Sequence, residues 1–436
     1  MQERNARLGN WLPSDRKLIT DWINELIADV KAKENTLCNG TDMQGAAGFQ
    51  HEEVSEFKDL LDNDPRLHSL AAQMIEQGHD YCKEDPTGEP QINSYDLMLK
   101  LIDEIMNRTP KYMPPGAKGR GLIGFPINAI LDWCMGTPAG YAFFLDTKVN
   151  QCFEKILKAW CRYLSSEDSA KVLNGDSDGW LCEAALQELQ MDLFDCDPEK
   201  PHYGFGSWNE FFTRTFLPGK RPVEGADDPY VIVSACESVP YRICTNAQKD
   251  TKFWLKGQPY SLEYMLNQDE SADMFVGGTV YQAFLSATKY HRWHSPVSGT
   301  IKRCFLVPGT YYAELSSYPY DDAGPNNSQC YITHVAARAV ILIDSKNKDI
   351  GLMAFIAVGM AEVSSCVMTV KEGQDVEKGD ELGFFQFGGS THCLIFQKDV
   401  IDMFVQDAIP AENDDDSKTV KVCAKLAVAK KKREEL

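Results

Sequence analysis

The strongest constraint on the fold is a change in hydrophobic periodicity near Pro201. Before this point, apolar residues recur at helical spacing in three stretches, residues 18–30, 97–106 and 153–164. After it, short β-branched runs such as residues 231–233 and 339–343 alternate with Gly, Pro and Asn turns. This order predicts an α+β fold, with a helical N-terminal extension (residues 1–200) followed by a mainly β domain (residues 201–436).

Two segments of the second half predict a small barrel element. Residues 371–383 place glycines at the spacing of hairpin turns, and residues 295–301 are the candidate for the matching half. We therefore expect a barrel of the biotinyl/lipoyl type. The turn at residues 344–349 predicts a separate hairpin between the runs on either side of it.

The chain is strongly acidic, with a formal net charge of -20 over 436 residues. Nucleic acid and anionic lipid surfaces both attract basic patches, so this charge argues against either as a partner. The N-terminus has no signal sequence, and no uninterrupted apolar stretch approaches the roughly 20 residues of a spanning helix. We expect a cytoplasmic protein without stable membrane anchoring.

Fourteen cysteines occur, and none of them forms a Cys-x-x-Cys pair. This usage favours the reduced, buried thiols of a cytosolic protein, with a zinc site or a disulfide framework as the alternative. No metal ligands are predicted.

The most informative motif for chemistry is Phe-Gly-Gly-Ser-Thr-His at residues 387–392. Glycine tolerates the strained backbone that would bring a serine hydroxyl against the preceding carbonyl. Gly389 would supply that carbonyl and Ser390 the nucleophile. The resulting ester would eliminate to dehydroalanine, and hydrolysis would leave a pyruvoyl group and ammonia. Alone, the motif is more often a flexible turn, and it lacks the Gly-x-Ser-x-Gly pattern of hydrolases.

A serine nucleophile needs a base, and the pair His291 and His294 offers one. Glu237 follows the run at residues 231–233 and would orient a histidine, as an acid does in hydrolytic triads. Taken separately, such histidines are more often structural, with a metal pair as another reading, and a lone carboxylate is more often a surface or salt-bridged one.

Together, and in this order, the motifs of the second half resemble the phosphatidylserine decarboxylase family of pyruvoyl enzymes. The resemblance covers roughly residues 200–400. Its segments are residues 205–214 with Arg221-Pro222, residues 256–262, Gly277-Gly278, the histidine segment 290–296, residues 358–360 and the terminal Gly-Gly-Ser-Thr.

The resemblance implies a role for each of these residues. Cleavage between Gly389 and Ser390 would convert Ser390 into the pyruvoyl cofactor, so that no PLP is needed. His294 corresponds to the base for self-cleavage and His291 to the histidine that assists decarboxylation. Glu237 stands where the family usually has Asp, and its extra methylene changes the reach of the acid. Residues 201–436 would form the catalytic domain, and cleavage of the one precursor would give a large and a small subunit, with an oligomer left open.

The departures from the family pattern, such as Lys289 and residues 335–338, are similar to a fungal branch, the L-tryptophan decarboxylases of psilocybin-producing mushrooms. That branch acts on a free amino acid, so we expect a small-molecule, aromatic amino-acid substrate. Three alternatives are phosphatidylserine, a catalytically silent member acting as a binding protein, and a carrier domain modified at Lys378.

Overall fold

The structure is a computed structural model that describes eleven stretches of the chain: residues 12–13, 15–38, 48–82, 91–112, 124–250, 260–286, 288–316, 328–362, 366–386, 388–411 and 417–432. Phe387 and residues 256–259 of the motifs above lie outside the described residues.

The first half is helical, as its periodicity predicts. The described residues up to Phe212 form α1 (Arg16–Cys38), α2 (Glu52–Asn63), α3 (Pro65–Cys82), α4 (Tyr95–Ile105), α5 (Pro126–Met135), α6 (Pro138–Phe144), α7 (Thr147–Leu164), α8 (Glu183–Leu189) and α9 (Trp208–Phe212). The three stretches singled out by their spacing lie in α1, α4 and α7. Short 3-10 helices at Glu167–Val172, Met191–Leu193 and Pro201–Gly204 connect the later helices.

Side chains at the helix starts explain where several helices begin. Ser94, Thr137, Asp146 and Ser207 each accept a hydrogen bond from a backbone N–H in the first turn of α4, α6, α7 and α9. Such caps satisfy N–H groups that have no partner within the helix. The apolar faces of the helices then share one core, which also takes in Tyr312 and other residues of the second half.

The second half is built on antiparallel sheets. Its strands are β1 (Val231–Val233), β2 (Val239–Thr245), β3 (Thr279–Leu285), β4 (Arg292–His294), β5 (Gly299–Val307), β6 (Arg338–Ser345), β7 (Leu352–Met360), β8 (Cys366–Met368), β9 (Asp375–Val376), β10 (Glu381–Phe385), β11 (Gly389–Phe396), β12 (Ile401–Phe404) and β13 (Lys425–Ala429). Two helices, α10 (Leu262–Met265) and α11 (Gln329–Val335), and the 3-10 helices Glu270–Phe275 and Gln406–Ala408 complete it. These elements confirm the α+β class and the predicted hairpin, which is β6–β7.

A seven-stranded sheet, in the order β2-β3-β11-β7-β6-β5-β9, forms the middle layer. One face packs on two three-stranded sheets, β4-β10-β8 and β1-β13-β12, in a core that contains Trp293 and Leu426. The other face packs on α10 and α11. The motif strand β11 therefore lies inside the sheet, hydrogen-bonded on both sides.

The predicted barrel element is not confirmed, because the described strands form no closed sheet. The two predicted halves do meet, since Gly299 and Thr300 pair with β9. However, β9 lies at the edge of the seven-stranded sheet, whereas β10 belongs to the sheet β4-β10-β8. A short turn thus passes the chain from one sheet to another instead of closing a barrel.

The twelve cysteines with described side chains carry free thiols. Across the described ranges, no helix combines the length and apolarity needed to cross a bilayer.

Candidate active site

Ser390 lies at the start of the central strand β11, opposite Leu285 of β3 and Gly359 of β7. Its side chain is buried, and its Oγ has no hydrogen-bond partner among the described residues. The positive φ angle of this turn occurs at Gly388 (φ 134°), one residue before the Gly389 carbonyl. A buried hydroxyl without a partner is costly in a protein interior, which is typical of groups kept for chemistry.

Polar contacts of Thr391, on the face of β11 opposite to the Ser390 side chain, hold this end of the strand in place. The Thr391 hydroxyl donates to the Ala283 carbonyl (2.9 Å) and accepts a hydrogen bond from Gln282 Nε2 (3.1 Å). The Tyr260 hydroxyl in turn donates to Gln282 Oε1 at 2.6 Å. All these side chains are buried, so the network fixes the backbone next to Ser390 while its side chain points the other way.

His291 precedes β4 and contacts the helical half. Its ring stacks on Phe212, at the end of α9, with a centroid distance of 4.0 Å. Its carbonyl accepts a hydrogen bond from Phe385 N, five residues before Ser390. Burial lowers the pKa of His291 well below its ordinary value, and the nearby Arg214 guanidinium lowers this pKa further. His291 is therefore a neutral imidazole in a fixed plane.

His294 lies at the far end of β4, opposite Glu381 of β10. Its Nδ1 is 2.7 Å from the Gly379 carbonyl oxygen, so Nδ1 carries the proton and donates it. Its Nε2 then accepts a hydrogen bond from the Tyr290 hydroxyl at 2.9 Å. Burial lowers the pKa of His294, which matches this neutral tautomer. The described hydrogen bonds therefore do not join His294 to Ser390.

Glu237 lies in the bend between β1 and β2, where Arg221 binds it through two hydrogen bonds of 2.6 and 2.9 Å. Its Oε2 also accepts a hydrogen bond from Val422 N at 3.1 Å. In the described structure this carboxylate thus forms a buried ion pair with arginine, and no described hydrogen bond joins it to a histidine.

Aromatic packing nevertheless connects Glu237 to His294. The Arg221 guanidinium lies over the Phe216 ring (4.2 Å), and Phe216 packs on Tyr290 (4.4 Å), the hydrogen-bond partner of His294. The sequence reasoning assigned no role to Arg221 or Tyr290. The available signal was their presence in the same motifs, directly beside Pro222 and His291.

A third histidine, His392, was also missed. It lies two residues after Ser390 in β11, so both side chains project from the same face. It is buried, and neither ring nitrogen has a hydrogen-bond partner among the described residues. Burial lowers the pKa of His392 to about 3, so the ring is neutral. The alternation of a strand after Ser390 was the signal that could have indicated it.

Comparison with known proteins identifies the class. The decarboxylase iboD of Amanita muscaria is 44% identical over 306 residues, which cover 66% of this chain and 87% of that protein. The L-tryptophan decarboxylase of Psilocybe cubensis is 35% identical over 370 residues, covering 79% and 80%. Phosphatidylserine decarboxylase proenzyme 3 of Schizosaccharomyces pombe is 35% identical over 212 residues, covering 48% and 21%. The class is therefore that of carboxy-lyases.

Two family models, both described as phosphatidylserine decarboxylase, match residues 51–189 and 208–422. The chain belongs to the phosphatidylserine decarboxylase family. The helical half is thus part of the match, and the four site residues predicted from the sequence lie in the second matched region.

Proposed function

We propose that this decarboxylase cleaves itself before Ser390 and uses the resulting pyruvoyl group to decarboxylate a free aromatic amino acid such as L-tryptophan. The observation that carries the proposal is the buried, unpartnered Oγ of Ser390, directly after two glycines on the central strand. The name and high coverage of the L-tryptophan decarboxylase of Psilocybe cubensis support the substrate class.

The proposed cleavage balances with one water molecule taken up and one ammonia released. Ser390 Oγ adds to the Gly389 carbonyl carbon, and the amide nitrogen leaves with the hydroxyl proton, which converts the amide into an ester. Loss of the Ser390 Cα proton then expels the Gly389 carboxylate and leaves dehydroalanine. One water molecule replaces the nitrogen, which departs as ammonia. The products are chains of 389 and 47 residues (436 − 389 = 47).

The surroundings of Ser390 fit a small ketone. Gly359, directly opposite on β7, has no side chain, and the Ser390 hydroxyl oxygen has no hydrogen-bond partner within the described part of the chain. A pyruvoyl ketone at this position would supply an electron-accepting carbonyl for the bond that breaks when CO2 leaves. The small chain would remain bound, because β11 pairs with both β3 and β7.

We assign separate roles to the two histidines. His294 is the proposed base for cleavage, with its lone pair on Nε2; the proton of Ser390 must then displace or pass through the Tyr290 hydroxyl. His291 is neutral, and its ring is stacked on Phe212. It is proposed to transfer a proton to or from the substrate during decarboxylation. Glu237 would act through Arg221, as a positioning residue.

The test compares intact masses of the wild type, Ser390→Ala, His294→Gln and His291→Gln. The wild type should split into two chains that react with hydroxylamine, and Ser390→Ala should stay whole. His294→Gln should stay whole, whereas His291→Gln should split but release little CO2. Decarboxylation by an uncut wild-type chain would refute the proposal, and a silent member would show neither cleavage nor activity.

Phosphatidylserine is the second candidate substrate, favoured by the family model that spans residues 208–422. Product amines should therefore be measured with free amino acids and with phosphatidylserine vesicles in the same series. Turnover of the vesicles alone would exclude the free amino acid.

A further inference from the structure

An open cleft of about 440 Å³ lies where the helical half meets the sheets of the second half. Helix α7 supplies Glu154 and Lys158 to it, β6 and the residue before it supply Arg338 and Ala337, and β8 supplies Cys366. Gln386, which follows β10, also lines it, and its Oε1 accepts a hydrogen bond from Cys161 of α7 at 3.3 Å. Clefts of this size commonly hold small molecules.

The strand register places Ala337, which lines the cleft, on the far side of Gly359 from Ser390. Ser390 lies opposite Gly359, and Gly359 N donates to the Ala337 carbonyl at 2.9 Å. Adjacent strands lie about 4.8 Å apart, so Ala337 and Ser390 are separated by about 10 Å across a residue that has no side chain. In the next row, His392 lies opposite Ala357, which lies opposite Ala339, so the two positions nearest the cleft carry only methyl groups.

Cys366 separates the cleft from the row that contains Ala357 and Ala339. Its Sγ lies 3.6 Å from the Ala357 carbonyl oxygen, so the thiol contacts β7 two residues from Gly359. Burial raises the pKa of this thiol, which keeps it a neutral, compact side chain. A larger residue at position 366 would therefore project toward the space beside Ser390.

The mouth of the cleft carries one positive and one negative side chain, a pattern that suits a zwitterionic ligand. Lys158 and Glu154 form an ion pair on the exposed surface of α7, one charge of each sign. The exposed Leu306 adds an apolar rim. This combination suits an α-carboxylate, an ammonium group and an aromatic ring. A volume of about 440 Å³ between charged groups does not suit two lipid acyl chains.

We propose that this cleft is the binding route by which a free aromatic amino acid reaches the position of Ser390, with Cys366 limiting the size of its side chain and Lys158 attracting its carboxylate. The proposal rests on the proposed function above. It also gives the helical half a part in substrate selection, through α7.

The first test enlarges Cys366. Cys366→Leu and Cys366→Phe should still be cut into two chains, but their KM for tryptophan should rise about tenfold or more with little change in kcat, the range expected when a pocket loses room. Phenylhydrazine should react more slowly with the pyruvoyl group, while the smaller hydroxylamine reacts at nearly the wild-type rate. Cys304→Leu is the matched control, because Cys304 is also half-buried with its thiol near a carbonyl but lies outside the cleft.

The second test reverses a surface charge and cannot be confused with misfolding. Lys158→Glu should raise the KM for tryptophan about fivefold at low salt and less at high salt. Lys155→Glu is the control, since Lys155 lies on the same helix, has the same exposure (56% against 57%) and also forms an ion pair, but lies outside this cleft.

The outcomes separate the two proposals. A wild type that is never cut refutes the proposed function. A normally cut enzyme whose KM and phenylhydrazine rate are unchanged by Cys366→Phe, or equally changed by Lys158→Glu and Lys155→Glu, refutes the cleft as the route. Should Cys366→Phe fail to fold, Cys366→Leu and the Lys158 pair still decide.

Discussion

Glu362 lies between the helical half and the end of β7 that pairs with β11, the strand of Ser390. Its protonation should control the free energy of unfolding above neutral pH. Glu362 follows β7, whose last residue Met360 lies opposite Gly389. Its side chain is buried, and Oε1 accepts a hydrogen bond from Asn128 N, in the first turn of α5, at 2.9 Å. Oε2 has no partner among the described residues. Burial raises the pKa of Glu362 from 4.5 to about 8, although backbone N–H groups oppose the rise.

The size of the effect follows from linkage. Because the folded pKa is higher than the unfolded one, the protonated form is favoured in the folded protein. The contribution of Glu362 is therefore fully present below pH 4.5 and is lost as the pH rises through 8. At 1.36 kcal/mol for each pH unit, the whole loss is about 5 kcal/mol, of which about 3 kcal/mol falls between pH 6 and 9.

Glu362→Gln removes the titration and keeps an oxygen that accepts from Asn128 N. Both proteins should carry Ser390→Ala, so that a single uncut chain unfolds. Urea unfolding at pH 6 and pH 9 should show the Gln variant losing about 3 kcal/mol less than its Glu362 parent. Every other titrating group is common to both chains and cancels. Parallel stability curves would refute the reasoning, because they would mean that Glu362 ionises alike in the folded and unfolded states.

Two further predictions concern buried charges. Glu237→Gln leaves Arg221 buried without a carboxylate and should destabilise the fold by about 3 kcal/mol, measured by urea unfolding. The double variant Glu237→Leu with Arg221→Met should recover most of this loss. An unchanged free energy of unfolding in Glu237→Gln would contradict the prediction. Burial lowers the pKa of His334 to about 3, and its Nε2 accepts from Ser261 N at 2.9 Å, so its contribution is present above pH 6.5 and is lost in acid. His334→Gln should therefore lose about 2 kcal/mol less than the wild type between pH 7 and 5, and equal slopes in an acid titration would contradict it.

The elements were predictable where the pattern is local. The apolar spacing of residues 18–30, 97–106 and 153–164 identified α1, α4 and α7, and the β-branched run at 339–343 identified β6. These patterns arise because one face of each helix or strand must be buried. The resulting spacing of apolar residues is visible within about a dozen consecutive residues.

Sheet membership was not predictable in the same way. Residues 371–383 read as one hairpin, yet β9 and β10 pair with strands of different sheets. The central place of β11, between β3 and β7, follows from contacts with residues far apart in the chain. Short β-runs specify that they pair, whereas non-local packing decides with which partner.

The candidate site residues could be proposed from the sequence, whereas their contacts could not. Ser390 lies on β11 of the seven-stranded sheet and His294 on β4 of a separate sheet, and the sequence did not indicate that Tyr290 would take the Nε2 of His294. Nor did it indicate that Arg221 would take both oxygens of Glu237. The direction of a side chain depends on sheet pairing and on neighbours from other elements, so these partners appear only in three dimensions.

The place of Ser390 on the central strand has a mechanical consequence for the proposed self-cleavage. Residues 389–396 of β11 pair with β7, and residues 390–396 pair with β3, so a break before Ser390 cuts the chain at the very start of the ladder. The strand that follows would stay hydrogen-bonded on both sides, whereas the new end at Gly389 would keep only its pairing with Met360 of β7, and Gly388, with its φ of 134°, lies in the turn before it. If the serine lay in the middle of β11, the new chain ends could separate only by breaking hydrogen bonds to both β3 and β7. With the proposed cleavage before Ser390, the new end at Ser390 would instead stay fixed beside Gly359.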